Sequence, residues 1–364
     1  MGKKKNLGQF FTKNSQYIIG NLLNVFPENA VVIDPFVGEW DLLNTIPSNF
    51  EKIGYDISPQ AKYPDTIKQN TLLEPPDYSN KWICTNPPYL ARNKNNNVSN
   101  NGTQFKAINE KLYNETKLND LYKIALNTML DCAGGIIIVP LNFFCEEGND
   151  IRRKFLSVFK ILQLNIFEET VFKDTSYTVC SFSFIRSLEV IKSQIINVKF
   201  FPNGDEKIFN IEEKSNFRLG AEFYSIIENK SKIKISRIID GDTSISHIKL
   251  RAIDSGSING KIKLEWSDIT HIDKTPNKTE RTFCSFKFGD VKITENEERF
   301  LIIKFNEILE KYREKYNSLF LTNFRNSSKS YARKRISFDV AYNIASHIIE
   351  ENKESFPSFS NYFN

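Results

Sequence analysis

Short strand-like segments, some of them uninterrupted apolar runs, recur through the first half of the chain, each with a polar or acidic tip. They are Ala30-Val31-Val32-Ile33 before Asp34, Lys52 to Ile57 around Asp56, Ile67 to Leu73, and Trp82-Ile83-Cys84 before Thr85. Runs without polar interruption suit strands buried on both faces of a parallel sheet. Between them the apolar positions fall at helical spacing: Ile18, Ile19, Leu22 and Leu23 ahead of Pro27, a short segment from Trp40-Asp41-Leu42-Leu43, and Leu118 to Ala133. Gly134-Gly135 then precedes the run Ile136 to Val139, a basic-capped helix at Arg152-Arg153-Lys154 precedes Ile161 to Phe167, and Thr178 to Ile185 alternates as a strand does. Strand, turn, helix and strand in repetition predict an α/β fold with a Rossmann-like, doubly wound sheet.

Near Arg186 the pattern changes to short strands separated by Gly, Asn and Asp turns: Ile196 to Phe201, Ile233 to Ile239, His247 to Ala252 and Gly260 to Trp266. Two helical segments follow, Glu295 to Tyr316 and Phe338 to Asn352. The chain is therefore expected to divide into domains 1–186 and 187–364, the second a smaller α+β unit. Leu90 to Thr103 dissolves into Asn, Lys, Ser and Gly, from which no core is built, and predicts a mobile loop.

Composition narrows the classes. With 40% hydrophobic and 26% charged residues in 364, the chain reads as an ordinary globular protein. No apolar run is long enough to span a membrane, and Met1-Gly2-Lys3-Lys4-Lys5 leads into polar residues, so a cytoplasmic protein is expected. The five cysteines carry no CxxC pair and the three histidines (His247, His271, His347) stand beside no Cys or carboxylate cluster, so no metal centre is expected. The net charge of +5 is mild, but Arg325, Lys329, Arg333, Lys334 and Arg335 follow one another without an acid, interleaved with Phe324, Tyr331, Ser and Asn. Such a mixture suits a phosphate backbone as well as it suits a solvated loop.

The chemistry concentrates at strand tips. Thr85-Asn86-Pro87-Pro88-Tyr89 closes one run with a rigid turn: two prolines fix φ and donate no N–H, Asn86 adds an amide acceptor, and Tyr89 adds a flat ring. Asp34-Pro35-Phe36-Val37-Gly38 puts an acid and a glycine at a strand-to-helix turn, where open α/β sheets bind ligands. Either Asp34 or Asp56 alone reads most simply as a helix cap. Their separation of about twenty residues matches a second-strand carboxylate that holds ribose hydroxyls.

This ordered set, from Gly8-Gln9-Phe10-Phe11-Thr12 through Asp34-Pro35-Phe36-Val37-Gly38, Asp56 and Asn86-Pro87-Pro88-Tyr89 to an aromatic turn at Phe172, resembles the gamma class of S-adenosylmethionine-dependent DNA adenine-N6 methyltransferases of restriction–modification systems. The resemblance covers roughly the first half of the chain. It implies a Rossmann-like catalytic domain followed by a target-recognition domain, S-adenosyl-L-methionine as cofactor, double-stranded DNA as partner, a monomer, and a separately acting cognate endonuclease. Carried onto this sequence, it places Phe11, Thr12, Asp34, Gly38, Asp56, Thr71 and Asn86 around the cofactor. It places Asn86, Pro87 and Tyr89 at the reacting amine, with Tyr89 and Phe172 stacking on a flipped base. Arg325, Lys329, Arg333, Lys334 and Arg335 would then meet DNA. Two positions depart from the pattern: Trp40 stands where the family usually has a second glycine, and Asn70-Thr71 where it often has an acid. Ribosomal-RNA adenine methylation, cytosine-N4 methylation, protein-glutamine methylation and a catalytically silent DNA-binding relative are the competing readings.

Overall fold

The computed structural model describes residues 12–97, 103–146, 149–172, 178–225, 233–243, 246–254, 261–270, 272, 281–324 and 333–363. The chain divides into two compact units, Met1–Arg218 and Leu219–Asn364.

In the first unit, the strands are β1 (Val31–Asp34), β2 (Glu51–Asp56), β3 (Ile67–Lys68), β4 (Trp82–Thr85), β5 (Gly134–Pro140), β6 (Phe159–Phe167), β7 (Val179–Arg186), β8 (Ser193–Phe201) and β9 (Glu206–Glu212). They form one sheet in the order β3-β2-β1-β4-β5-β7-β6-β8-β9. β1 to β5 pair in parallel, β7 runs antiparallel between β5 and β6, and β9 closes a hairpin on β8. The expected α/β doubly wound architecture is present. Its helices among the described residues are α1 (Ser15–Ile19), α2 (Asp41–Thr45), α3 (Thr103–Thr116), α4 (Leu121–Thr128), α5 (Asn142–Cys145) and α6 (Asp150–Val158). β5 is buried at every position, as its unbroken apolar run requires. A Cβ on Gly135 would lie 2.0 Å from the Ile83 carbonyl oxygen, so the close pairing of β4 and β5 depends on that glycine.

Two expectations need correction here. The boundary expected at Arg186 falls after Arg218, because β8 and β9 extend the first sheet: Leu164 to Phe167 of β6 pair with Val198 to Phe201 of β8. The loop expected from Leu90 to Thr103 is built in part. Arg92–Asn97 forms a 3-10 turn in which Asn95 is fully buried, its Nδ2 donating to the Lys106 carbonyl at 3.1 Å and to Glu110 Oε1 at 3.0 Å. Polar residues pack here because α3 supplies the acceptors.

The second unit mixes strands and helices, as expected. It contains α7 (Glu222–Ser225), β10 (Ser236–Arg237), β11 (Ile248–Arg251), β12 (Lys263–Trp266), β13 (Phe283–Lys287), α8 (Glu295–Tyr316), β14 (Thr322–Phe324), β15 (Arg333–Arg335) and α9 (Phe338–Glu351). β10-β13-β11-β12 make an antiparallel sheet and β14-β15 a separate ribbon. α8 starts on a capping box, Thr294 Oγ1 accepting from Glu297 N while Glu297 Oε2 accepts from Thr294 N at 2.6 Å. Both long helices lie where their periodicity predicts them.

Candidate active site

The chain leaves β1 for β2 and β3 on one side, then returns to β4 and β5 on the other, so the strand order reverses between β1 and β4. Ligands of open α/β sheets bind in the crevice beyond the strand ends at that point. There a cavity of about 470 Å³ opens among the tips of β1, β2 and β4 and the sides of α3 and α4.

Across the reversal the two strand ends are tied directly. Thr85 Oγ1 donates to Asp34 Oδ1 at 2.6 Å, and Phe36 N donates to the same oxygen at 2.9 Å. Asp34 is 2% exposed; burial pushes its pKa up to about 7 against the lowering effect of these hydrogen bonds, and the Asp56 charge adds to the rise. Asp56 ends β2, its Oδ2 accepting from Gly38 N at 3.2 Å and its Oδ1 from Ser58 N at 2.7 Å. Gly38 takes φ 54, where a side chain would be strained, and thereby turns its N–H onto Asp56. Thr71 is buried and donates to the Pro35 carbonyl at 2.9 Å, which links the third strand's tip to the β1 turn.

The lining carries a charge pattern. Asp34, Glu39, Asp41 and Asp56 all face the cavity, and among the described residues no lysine or arginine does. Glu39 is balanced from outside by Lys62 at 3.6 Å. Asp41 Oδ2 is buried with no hydrogen-bond partner; burial and then the Glu39 charge raise its pKa against the lowering charges of Lys13 and Lys62. Such a cavity disfavours phosphate and favours a small cationic ligand that also offers hydroxyl donors.

The proline turn stands at the same opening. Asn86 and Pro88 line the cavity, and Asn86 Nδ2 lies 3.1 Å from Thr12 Oγ1. The Tyr89 hydroxyl contacts Asn86 Oδ1 and lies 3.0 Å from the Ile138 carbonyl oxygen. Beyond the turn, Leu90 N donates to Asp120 Oδ1 at 3.1 Å, while the Leu90 carbonyl accepts from Tyr113 OH at 2.6 Å and from Leu121 N at 3.2 Å. The turn is thus fastened at its exit to α3 and to the start of α4.

Thr12, Asp34, Gly38, Asp56, Thr71 and Asn86, six of the expected cofactor residues, meet at this one cavity. Phe11 lies outside the described residues. Pro87 is buried and does not line the cavity, whereas Pro88 does. Tyr89 and Phe172, expected to offer ring faces, are instead 3% and 2% exposed and do not line the cavity. For Tyr89 the reason is local: its ring packs edge-on against Tyr122 at 6.2 Å while the hydroxyl is held by its two oxygens. Trp40 does not line the cavity. It takes φ 61, the left-handed conformation for which glycine is the usual choice, and its indole turns away, donating to Thr66 Oγ1 at 2.7 Å and covering Gly54. Asn70 and Thr71 face the cavity where an acid was expected.

In the second unit, Arg325 and Lys329 lie outside the described residues, as does the side chain of Arg333. Lys334 is 6% exposed and offers no open cation, because successive strand residues point to opposite faces and its own points inward. Arg335 is partly exposed. Sequence reasoning missed Glu39, Asp41, Thr85 and the α3 residues Phe105, Ile108 and Asn109, all but Thr85 lining the cavity. The spacing 105, 108, 109, 112 was a legible helical stripe.

No known protein family matches the sequence, and no curated protein does. Among solved structures, the chain is similar to DrdV in complex with DNA, with a TM-score of 0.39 and 16% identity over 60% of this chain and 32% of that one. It is similar to a type I restriction–modification methyltransferase subunit from Streptococcus thermophilus, with a TM-score of 0.36 and 12% identity over 62% of this chain and 55% of that one. It is also similar to the 23S rRNA methyltransferase ErmE, with a TM-score of 0.31 and 12% identity over 50% of this chain and 70% of that one. The chain thus spans 32% of DrdV and 55% of the Streptococcus thermophilus subunit. These likenesses are loose, and the functional reading below rests on the site.

Proposed function

We propose that the chain is an S-adenosyl-L-methionine-dependent methyltransferase acting on the N6 amino group of a flipped adenine in duplex DNA, as a modification enzyme of a restriction–modification system. The observation that carries this reading is the junction of two halves at one opening: an acid-lined cavity at the strand-order reversal, and the Asn86-Pro87-Pro88-Tyr89 turn on its rim.

The donor set fits the cofactor. Asp56 suits ribose hydroxyls, and Asp34, Asp41 and Glu39 supply negative charge to a ligand bearing an ammonium and a sulfonium; the unpartnered Asp41 Oδ2 is the natural partner for an ammonium. Asn70 and Thr71 supply neutral polar contacts at the third strand's tip. Bound there, the cofactor would supply an electrophilic methyl group.

The chain's own part is to prepare an amine. An adenine amino nitrogen is a weak nucleophile because its lone pair is delocalised into the ring. Accepting its two N–H groups at the Asn86 amide oxygen and the Pro87 carbonyl favours a more tetrahedral nitrogen and an available lone pair. Positioning and fixed dipoles then replace a strong base. Tyr89 has one hydroxyl proton for two acceptors. The Asn86 NH₂ donates to Thr12 Oγ1 at 3.1 Å, and the Asn86 oxygen accepts from the Tyr89 hydroxyl, which also lies 3.0 Å from the Ile138 carbonyl oxygen. Tyr89 is on this reading first a positioning residue. It and Phe172 give a base their ring faces only after turning out of their buried positions.

The strand-rich second unit supports DNA over ribosomal RNA, since the RNA reading expected a small helical unit. Calorimetry with S-adenosylmethionine and transfer of a tritiated methyl group to unmodified duplex DNA test the proposal. Binding with transfer to adenine is expected; absence of binding overturns it.

A further inference from the structure

The polar side of the antiparallel sheet in the second unit has its own charge pattern. In register, Lys249 stands opposite Glu265 and Ser285, and Arg251 opposite Lys263 and Phe283, so these side chains share one face. The alternate residues Leu250, Leu264, Cys284 and Phe286 are buried on the other side and form core. On the polar face Lys249 Nζ lies 4.8 Å and Arg251 Cζ 5.0 Å from the centre of the Phe283 ring, so two cations share one aromatic. Glu265 lies on that face and is divided between Arg251 at 3.5 Å and Lys263 at 3.7 Å.

β15 adds to the cluster. Arg335 bridges Ile253, two residues beyond Arg251, and its guanidinium holds its proton less tightly than usual because of burial and the neighbouring charge of Arg281. The Nε atoms of Arg251 and Arg335 are both buried without an acceptor. Like charges gathered on one ring and one strand end, with Glu265 the carboxylate shared among them in the described residues, repel one another in the free protein. A solvated face disperses its cations; this one concentrates them around an aromatic.

We propose that this face, with Lys249 and Arg251 over Phe283, Lys263 opposite Arg251, and Arg335 near Arg281, is a contact surface for the phosphate backbone of duplex DNA. The choice of DNA over another polyanion rests on the methyltransferase reading; the choice of surface does not. A duplex carries one negative charge per about 1.7 Å of axis, and binding to it releases counterions from the phosphates that cations neutralise. The basic stretch thus contributes through Arg335 rather than through Lys334.

The test is fluorescence anisotropy of a labelled generic duplex against full-length protein over a series of salt concentrations. Arg251→Gln, Arg335→Gln and the pair are compared with Lys304→Gln and Lys353→Gln, which remove the same charge elsewhere in the unit. Each arginine substitution should weaken binding for all sequences alike and lower the slope of log affinity against log salt by about one per lost phosphate contact. The lysine controls should leave the slope unchanged. Equal losses in the controls, or an unchanged slope in the arginine variants, overturn the surface. Tighter binding of single-stranded RNA than of duplex overturns the choice of partner, as does a wild type that binds no duplex. Calorimetry with S-adenosylmethionine on the same samples separates misfolding and a failed methyltransferase reading from a wrong surface, because that cavity belongs to the first unit.

Discussion

The two units place opposite charge where a ligand would sit. At the strand-order reversal of the first unit, four carboxylates face a cavity with no lysine or arginine among the described lining residues. On the polar face of the second unit's sheet, Lys249 and Arg251 both lie over Phe283, and Glu265 is shared between Arg251 and Lys263. An enclosed cavity with focused negative charge selects a small cation and repels phosphate. A face with gathered positive charge attracts a polyanion and is screened by salt. On the proposed reading, one chain would separate binding of the methyl donor from binding of the nucleic acid by electrostatics.

The largest effect should come from the turn. Asn86→Ala should lower methyl transfer by about a hundredfold to a thousandfold, the usual loss for a fixed dipole aimed at a reacting centre, while cofactor affinity measured by calorimetry changes only a few fold. Equal losses in both would make Asn86 a cofactor ligand only, and would merge the two sites that the comparison keeps apart.

Next in size is Asp41. Its buried, unpartnered oxygen is a cost to the free protein that a cationic ligand would relieve. Asp41→Asn should therefore weaken S-adenosylmethionine binding by about tenfold, in line with a charge-assisted hydrogen bond, yet leave the ligand-free protein as stable or more so in thermal unfolding. Lower stability with unchanged affinity would assign Asp41 to the fold instead.

Asp34 supplies a pH dependence with a definite sign. Its pKa is raised from 3.8 to about 7 in the folded, ligand-free chain. The folded form therefore holds this proton between those values while the unfolded form does not. The contribution to stability is complete below the lower value and is lost as pH rises through the upper one. A cationic ligand prefers the ionised carboxylate, so its binding should tighten as pH rises from about 6 to about 8. Asp34→Asn should flatten both profiles; a profile unchanged by the substitution would contradict the role.

The smallest effect is expected at Gly54. A Cβ there would lie 2.9 Å from both the Trp40 indole and a Val37 methyl group. Gly54→Ala should push Trp40 from its place and weaken cofactor binding by a few fold, with little change in DNA binding measured by anisotropy. A loss confined to DNA binding would break the separation of the two regions.

Much of this was legible in the sequence because it depends on local order. The strand tips, the acids at Asp34 and Asp56, the proline turn and both long helices of the second unit follow from periodicity and turn chemistry. What escaped depends on pairing at a distance. That β8 and β9 join the first sheet is decided by their register with β6, which apolar alternation alone does not specify. Asn95 is buried only because Lys106 and Glu110 turn toward it. Trp40 takes a glycine-like conformation because Thr66 and Gly54 receive its ring. The ring faces of Tyr89 and Phe172 were read from residue type, and type does not say whether a ring lies at a surface or beneath one.

The central claim is that the turn at the rim of the acid-lined cavity prepares an exocyclic amine for methylation. Transfer of a tritiated methyl group from S-adenosylmethionine to unmodified genomic DNA, followed by nucleoside analysis, tests it most directly. The account predicts label in N6-methyladenine with the wild-type protein and its near-complete loss with Asn86→Ala. Label in another nucleoside, or equal label with both proteins, would contradict it.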